Sequence, residues 1–193
     1  MNYLAHLFLA GENEDLIIGN FIADHIKGNK IEDYKPGIKR GILMHRSIDD
    51  YTDSHEIVRR SIHRLRPSYS KYSGVIVDMF YDHFLATEWN KYSKESIENF
   101  TKSRYDLLFR NFQILPPRAQ RILPHMARNN WLSAYAEFEG LQKALTGMSH
   151  RTTFVSKMEH AVTDLKISYK EYKTEFEEFF PELCNFVAEK HGV

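Results

Sequence analysis

The sequence is poor in cysteine and lacks long apolar runs, and each absence narrows the class of protein. Cys184 is the single cysteine among 193 residues, so no internal disulfide framework can form, which favours a reducing, cytoplasmic location. No run of about 18 apolar residues occurs, which predicts no membrane span. The apolar N-terminal segment, residues 1–15, is short and lacks a basic leading region, so we do not interpret it as a signal peptide.

The chain also lacks a net charge, with 26 basic and 26 acidic residues. A neutral molecule is not committed to nucleic acid, and we predict no nucleic-acid partner. Charge is nevertheless uneven, because residues 25–72 hold 11 Lys and Arg against 6 Asp and Glu, and residues 102–128 hold 6 against 1. Solvated helix surfaces explain many such imbalances, and a dock for an acidic partner is the alternative.

Strand and hairpin signals are nearly absent, whereas helical periodicity extends through most of the chain. Asn2 can cap a first helix, a second spans about 13–27, and Pro36 can begin a third. We expect a fourth helix to stop before Pro67 and a last one to start at Pro181. No flexible linker or internal repeat divides residues 1–193, which predicts one all-α, single-domain helical bundle.

Polar side chains occur at helical spacing inside apolar segments, which is the most informative pattern present. His6 lies within "NYLAHLFLA", and Asp24 lies one turn after Asn20 in "GNFIADHIKG". Taken alone, each has a structural explanation: a hydrogen-bonded core histidine, and an aspartate that accepts bonds from a helix end. His45 and Asp49 are four residues apart in "MHRSIDDYTD", so they could bind one ion, or Asp49 could orient the imidazole.

The segment "VIVDMFYDHFLATEW" places Asp78, Asp82 and His83 in one of the most apolar parts of the chain. Burying charge costs free energy unless a partner or a metal compensates. Hard divalent cations prefer carboxylate oxygens, and histidine shifts the preference toward manganese or iron. Since a bundle can gather ligands from several helices, the combined pattern favours a metal site over a core ion pair. Motifs for other chemistries, GxSxG, a glycine-rich phosphate loop and HExxH, are absent.

The blocks "MNYLAHLFLA", "GNFIADHIKG", "HRSIDDYTD" and "YDHFL", in this order, resemble the acyl-carrier-protein phosphodiesterases. The later segments "LTGMSHR" and "FFPEL" extend the resemblance over most of the chain. It implies a hydrolase that uses Mn²⁺ or Mg²⁺ and removes 4′-phosphopantetheine from holo acyl carrier protein. It also implies a fold distantly related to the helical His-Asp metal phosphohydrolases.

We combine the resemblance with the spacing to assign hypothetical roles. Asp24, His45, Asp82 and His83 are the predicted metal ligands. His6 or Asp49 would support them or act as general base, with Asp78 as an orienting carboxylate. Lys27 and Arg46 would contact the phosphate, beside Asn20.

The resemblance also implies a small, acidic protein partner, the acyl carrier protein. The densest basic cluster is the predicted docking surface, and it comprises Arg59, Arg60, Arg64 and Arg66. Two alternatives remain at this point. One is a His-Asp-type nucleotide phosphohydrolase with the same metal chemistry, and the other is a non-catalytic helical binding module.

Overall fold

A computed structural model describes all of residues 1–193 and contains helices and no strands, which confirms the all-α prediction. None of the helices combines the length and the apolar composition that crossing a bilayer requires. The α-helices are α1 Tyr3–Leu9, α2 Glu14–Ile22, α3 Pro36–Ser54, α4 Glu56–Tyr69, α5 Ser73–Thr87, α6 Trp89–Tyr92, α7 Ile97–Arg110, α8 Pro117–Arg128, α9 Trp131–Ala134, α10 Phe138–Ser149, α11 Ala161–Ile167 and α12 Tyr169–His191.

Local sequence signals explain how the first three helices begin. The Asn2 side chain accepts a hydrogen bond from the Tyr3 amide at the start of α1. Asn13 accepts from two backbone amides at the start of α2, and Pro36 occupies the first turn of α3. Helix α2 ends at Ile22, earlier than predicted, and a 3₁₀ turn over Ala23–His25 follows it.

Two prolines do not act as the predicted boundaries. Pro67 lies inside α4 and Pro181 lies inside α12. Both prolines are exposed, so water can solvate the carbonyl groups that lose an amide donor. Buried residues just beyond them, Tyr69 and Leu183, anchor the continuing helices in the core.

Helix α5 is the centre of the core. Its residues Val77, Phe80 and Phe84 are completely buried, and α1, α4, α10 and α12 pack around it. Complete burial of a large apolar side chain stabilises the folded protein by roughly 1.5–3 kcal/mol. The apolar character of the segment therefore reflects its central position in the bundle.

Helices α2 and α3 approach each other unusually closely at two glycines. A Cβ atom at Gly19 would lie 2.3 Å from the Ile38 carbonyl oxygen, and one at Gly41 would lie 2.6 Å from the Leu16 carbonyl oxygen. No larger residue fits this contact, which we call the α2–α3 seam. The seam fixes α3 against α2 and the turn that follows it, and these elements carry part of the site described next.

Candidate metal centre

Three elements bring imidazole and carboxylate groups to one place: α1, the 3₁₀ turn after α2, and α3. His6 lies on α1, Asp24 on the turn, and His45 with Asp49 on α3. His45 and Asp49 share a face of α3 because they are one helical turn apart. Two of the four predicted metal ligands, Asp24 and His45, thus lie beside His6 and Asp49, the residues predicted to support them or to act as general base.

His45 faces two carboxylates with one nitrogen. Its Nε2 lies 3.2 Å from Asp24 Oδ1 and 3.1 Å from Asp49 Oδ2. A single N–H cannot donate well to both oxygens. One of the two carboxylate oxygens therefore lacks a good hydrogen-bond donor from His45.

His6 completes the group from the other side of Asp49. Its Nε2 lies 3.1 Å from Asp49 Oδ1, and its Nδ1 lies 3.1 Å from Asn20 Oδ1. The His6 and His45 rings stack with centroids 3.8 Å apart. When Nδ1–H donates to Asn20, the Nε2 lone pair of a neutral His6 points at the Asp49 carboxylate, and a cation between them would relieve that repulsion.

The pKa values follow from burial and from these contacts. Burial lowers the pKa of His6, and the neighbouring His45 lowers it further. Burial would also lower the pKa of His45, but hydrogen bonds to Asp24 and Asp49 raise it to about 9. Burial would raise the pKa of Asp49, but its contacts with the His45 and His6 imidazoles outweigh that effect and hold it well below its usual range. Both carboxylates are thus ionised at neutral pH, since the His45 hydrogen bond also lowers the pKa of Asp24.

The donor set fits a divalent transition metal. One ligand atom from each of His6, His45 and Asp49 can be chosen so that all lie within 4.8 Å of one another. Asp24 adds a carboxylate oxygen beside His45. Two imidazole nitrogens with carboxylate oxygens suit Mn²⁺ or iron better than they suit Mg²⁺, which prefers oxygen ligands.

A cavity of about 940 Å³ borders this group, with His6, Asp24 and His45 in its wall. Its apolar lining includes Ile122, Trp131, Met148 and Met158. Polar groups that the sequence did not single out also line it, namely Tyr3, His25, Arg118 and Arg151.

Tyr3 contributes a hydroxyl donor in this wall. Burial raises the pKa of Tyr3 to about 12, with a further contribution from the Asp24 charge, so the phenol stays protonated at neutral pH. Both nitrogens of His25 are buried without a hydrogen-bond partner. The basic surplus of residues 102–128 was the sequence signal for Arg118, whereas His25 had no signal beyond following Asp24, and Tyr3 had none beyond lying three residues before His6.

Asp82, a predicted metal ligand, is not part of the group formed by His6, His45 and Asp49, and its role as a ligand stays a prediction. Its carboxylate is completely buried and accepts hydrogen bonds from the backbone amides of Asn2, Leu4 and Ala5 at 3.2, 2.8 and 3.3 Å. It therefore satisfies the orphan amides at the start of α1. Burial raises the pKa of Asp82 to about 7, against the opposing effects of the N-terminal amino group and these amides.

His83 also lies outside the group, although it was predicted to be a ligand. It faces α10 because it projects about 100° around α5 from Asp82. Its Nδ1 donates to the Tyr135 carbonyl oxygen at 2.8 Å, and its ring stacks on Phe138 with centroids 5.1 Å apart. Burial lowers the pKa of His83, which favours the neutral imidazole, and its Nε2 is buried without a hydrogen-bond partner, so its role as a ligand stays a prediction.

The remaining predicted catalytic and substrate-binding residues have varied surroundings. Asp78 lines the large cavity and accepts a hydrogen bond from the Met1 amino group at 2.9 Å. Asn20 bonds to His6, as described above. Arg46 donates to the Ile26 carbonyl oxygen at 3.2 Å and does not line the large cavity, and Lys27 lies in a second cavity described below.

Two of the four predicted docking arginines are used within the molecule. Arg64 forms two hydrogen bonds to Glu175, at 2.8 and 2.9 Å, and Arg60 lies 3.1 Å from Glu178. Both glutamates belong to α12. Arg59 and Arg66 remain exposed and without an ion pair, so the cluster is less basic than its sequence indicates.

The fold and the site together define an all-helical domain with a candidate divalent-metal centre in the wall of a large cavity. Helical metal-dependent hydrolases use sites of this kind. The family described as acyl carrier protein phosphodiesterase matches residues 1–183, and the chain belongs to that family.

Curated relatives cover nearly the whole chain. An acyl carrier protein phosphodiesterase from Serratia proteamaculans is 30% identical over 191 residues, which are 98% of this chain and 99% of the relative. One from Photorhabdus laumondii is 30% identical over 185 residues, covering 94% and 92%. One from Escherichia coli O45:K1 is 30% identical over 191 residues, covering 98% and 99%. No solved structure matches the chain, so the expected relation to His-Asp phosphohydrolases stays a prediction.

Proposed function

We propose that this protein is a metal-dependent phosphodiesterase that releases 4′-phosphopantetheine from holo acyl carrier protein and leaves the apo carrier. Relatives that match nearly the whole chain are acyl carrier protein phosphodiesterases, which supports the substrate. The observation that carries the chemistry is the convergence of His6, His45 and Asp49, with Asp24 beside them, at a large cavity whose wall includes His6, Asp24 and His45.

The metal would be bound by His6, His45 and Asp49, with Asp24 beside them. When bound, such an ion neutralises phosphodiester charge, lowers the pKa of water and stabilises the departing serine oxygen. The protein's own groups prepare the site. Asn20 holds His6 with its Nε2 directed at Asp49, and the ionised carboxylates supply the negative charge that attracts a cation.

The rest of the cavity has groups suited to the substrate arm. Arg118 and Arg151 make no ion pair with any other side chain, and both line the cavity. A guanidinium can bind two phosphate oxygens at once, so these residues are candidates for holding the phosphodiester. Tyr3 can donate its hydroxyl to the same group, and Trp131 and Met148 offer apolar surface to the arm.

The proposed reaction is tested by measuring the mass of the carrier protein before and after incubation. Purified protein is incubated with holo acyl carrier protein and Mn²⁺, and the carrier is examined by mass spectrometry. We expect loss of the phosphopantetheine mass with Mn²⁺ and none with EDTA. Cyclic and guanosine nucleotides are assayed in parallel, and hydrolysis of nucleotides with an intact holo carrier would refute the proposal.

Variants connect the reaction to the site. His45→Ala and Asp49→Asn should each lower kcat by at least about a hundredfold and reduce Mn²⁺ content measured by elemental analysis. His63→Ala is the control, because this imidazole is exposed on α4 and lines neither cavity. Full activity and full metal content in both site variants would show that the ligand assignment is wrong.

A further inference from the structure

A second cavity, of about 480 Å³, adjoins the candidate metal centre and has a basic lining. Lys27, Lys30, Arg118 and Arg121 line it, against the two acidic residues Asp24 and Asp33. We call this feature the basic cavity.

The four cations of the basic cavity are exposed and none of them forms an ion pair within the chain. Arg60 and Arg64 of the cluster predicted from the sequence are, in contrast, paired with α12 glutamates. The N-terminal end of α8, at Pro117, also borders the basic cavity and adds the positive end of a helix dipole. The lining of this opening therefore carries four cations against two carboxylates, an excess of positive charge that favours an acidic partner.

The basic cavity and the large cavity share a wall. Asp24, His25 and Arg118 line both of them, and Asp24 contacts His45 of the metal centre. The centre thus lies between a larger, mainly apolar space and a smaller, basic one. A substrate with a partly apolar arm on one side of a phosphate and a charged protein on the other would match this polarity.

We propose that the basic cavity and its rim are the docking surface for the acidic face of the carrier protein around its modified serine, while the arm occupies the large cavity. This inference rests on the proposed function, since the partner is the substrate named there. Positive charge beside the reaction centre attracts an acidic protein at long range and orients its phosphodiester toward Arg118. It replaces the α4 arginine cluster as the predicted dock.

Three double charge reversals test the location of the dock, and each makes the same change in net charge. Lys30→Glu with Arg121→Glu alters the basic cavity. Arg59→Glu with Arg66→Glu alters the exposed part of the α4 cluster. Lys102→Glu with Lys170→Glu is the matched control, because both lysines are exposed, unpaired and outside the two cavities.

Binding is measured with apo carrier by fluorescence anisotropy at low and high salt, and KM and kcat are measured with holo carrier. We expect the Lys30 and Arg121 double variant to weaken apo carrier binding and to raise KM by about tenfold or more at low salt. The same variant should show a flatter salt dependence, because fewer charges remain to be screened. The control should stay within about twofold of the wild type.

The outcomes separate the two proposals. If the wild type binds apo carrier through the basic cavity but leaves holo carrier intact, the proposed function fails and the dock stands. If the wild type does not bind carrier, or if the α4 or control variant weakens binding as much as the cavity variant does, the docking proposal is overturned.

Discussion

Removing the Asp82 carboxylate should destabilise the protein in the absence of any metal. The side chain is completely buried and accepts hydrogen bonds from the amides of Asn2, Leu4 and Ala5. Asp82→Ala leaves these amides without an acceptor at the buried start of α1, the helix that carries His6.

The size of the effect follows from the contacts. A hydrogen bond to a charged group contributes roughly 1.5–3 kcal/mol, and three of them share one carboxylate here. The unfavourable burial of that charge, which raises the pKa of Asp82 to about 7, offsets part of the gain. We therefore expect Asp82→Ala to lower the free energy of unfolding by about 3 kcal/mol, or Tm by roughly 6–12 °C. Asp82→Asn retains one acceptor oxygen, so it should lower the free energy of unfolding by less than Asp82→Ala does.

Urea denaturation and calorimetry of metal-free protein in EDTA measure this directly. Asp106→Ala is the control, because Asp106 is an exposed α7 residue and its loss should change stability by no more than about 0.5 kcal/mol. If metal-free Asp82→Ala is as stable as the wild type but no longer binds Mn²⁺, the anchoring role is refuted and the sequence prediction of a metal ligand is supported.

Three further changes test the packing and the ion pairs described above. Gly41→Ala should destabilise by about 2–3 kcal/mol in urea denaturation, because its Cβ would overlap backbone of α2, whereas Gly147→Ala, with no atom within 4 Å, should be neutral or stabilising by up to about 1 kcal/mol. Equal effects at the two glycines would contradict the close packing. Arg64→Ala should cost about 2 kcal/mol because it leaves the Glu175 carboxylate buried and unpaired, while Arg60→Ala, at an exposed pair, should cost under about 1 kcal/mol. Burial would raise the pKa of Glu175, but its bonds to Arg64 and Ser61 lower it below 4.5, so its stabilising contribution is present above that pH and is lost as the pH falls. Glu175→Gln should therefore flatten the acid limb of a stability–pH curve, and an unchanged limb would show that the pair does not control it.

The sequence predicts the helical class and the beginnings of several helices because these depend on local features. Asn2 and Asn13 are caps, and Pro36 begins α3. The interruptions expected at Pro67 and Pro181 do not occur, because the cost of a proline in a helix is outweighed by packing of residues on both sides. That packing involves distant segments, which local patterns do not contain.

In the candidate site, too, local spacing predicts some residues, whereas the positions of others depend on tertiary packing. His45 and Asp49 are predictable because their spacing puts them on one face of a single helix. The direction in which Asp82 and His83 point depends on how α5 is rotated against α1 and α10, and an adjacent Asp-His pair carries no information about that rotation. Arg60 and Arg64 look like a docking cluster until α12, more than a hundred residues later, supplies their glutamates.

The α2–α3 seam has a consequence for engineering. Because backbone meets backbone at Gly19 and Gly41, the spacing between the turn that bears Asp24 and the helix that bears His45 is set by main chain rather than by replaceable side chains. The apolar lining of the large cavity comes from other elements, including α8 and α10. A library that varies Ile122 and Met148 would therefore reshape the lining of the large cavity while the two seam glycines keep the candidate metal centre in place.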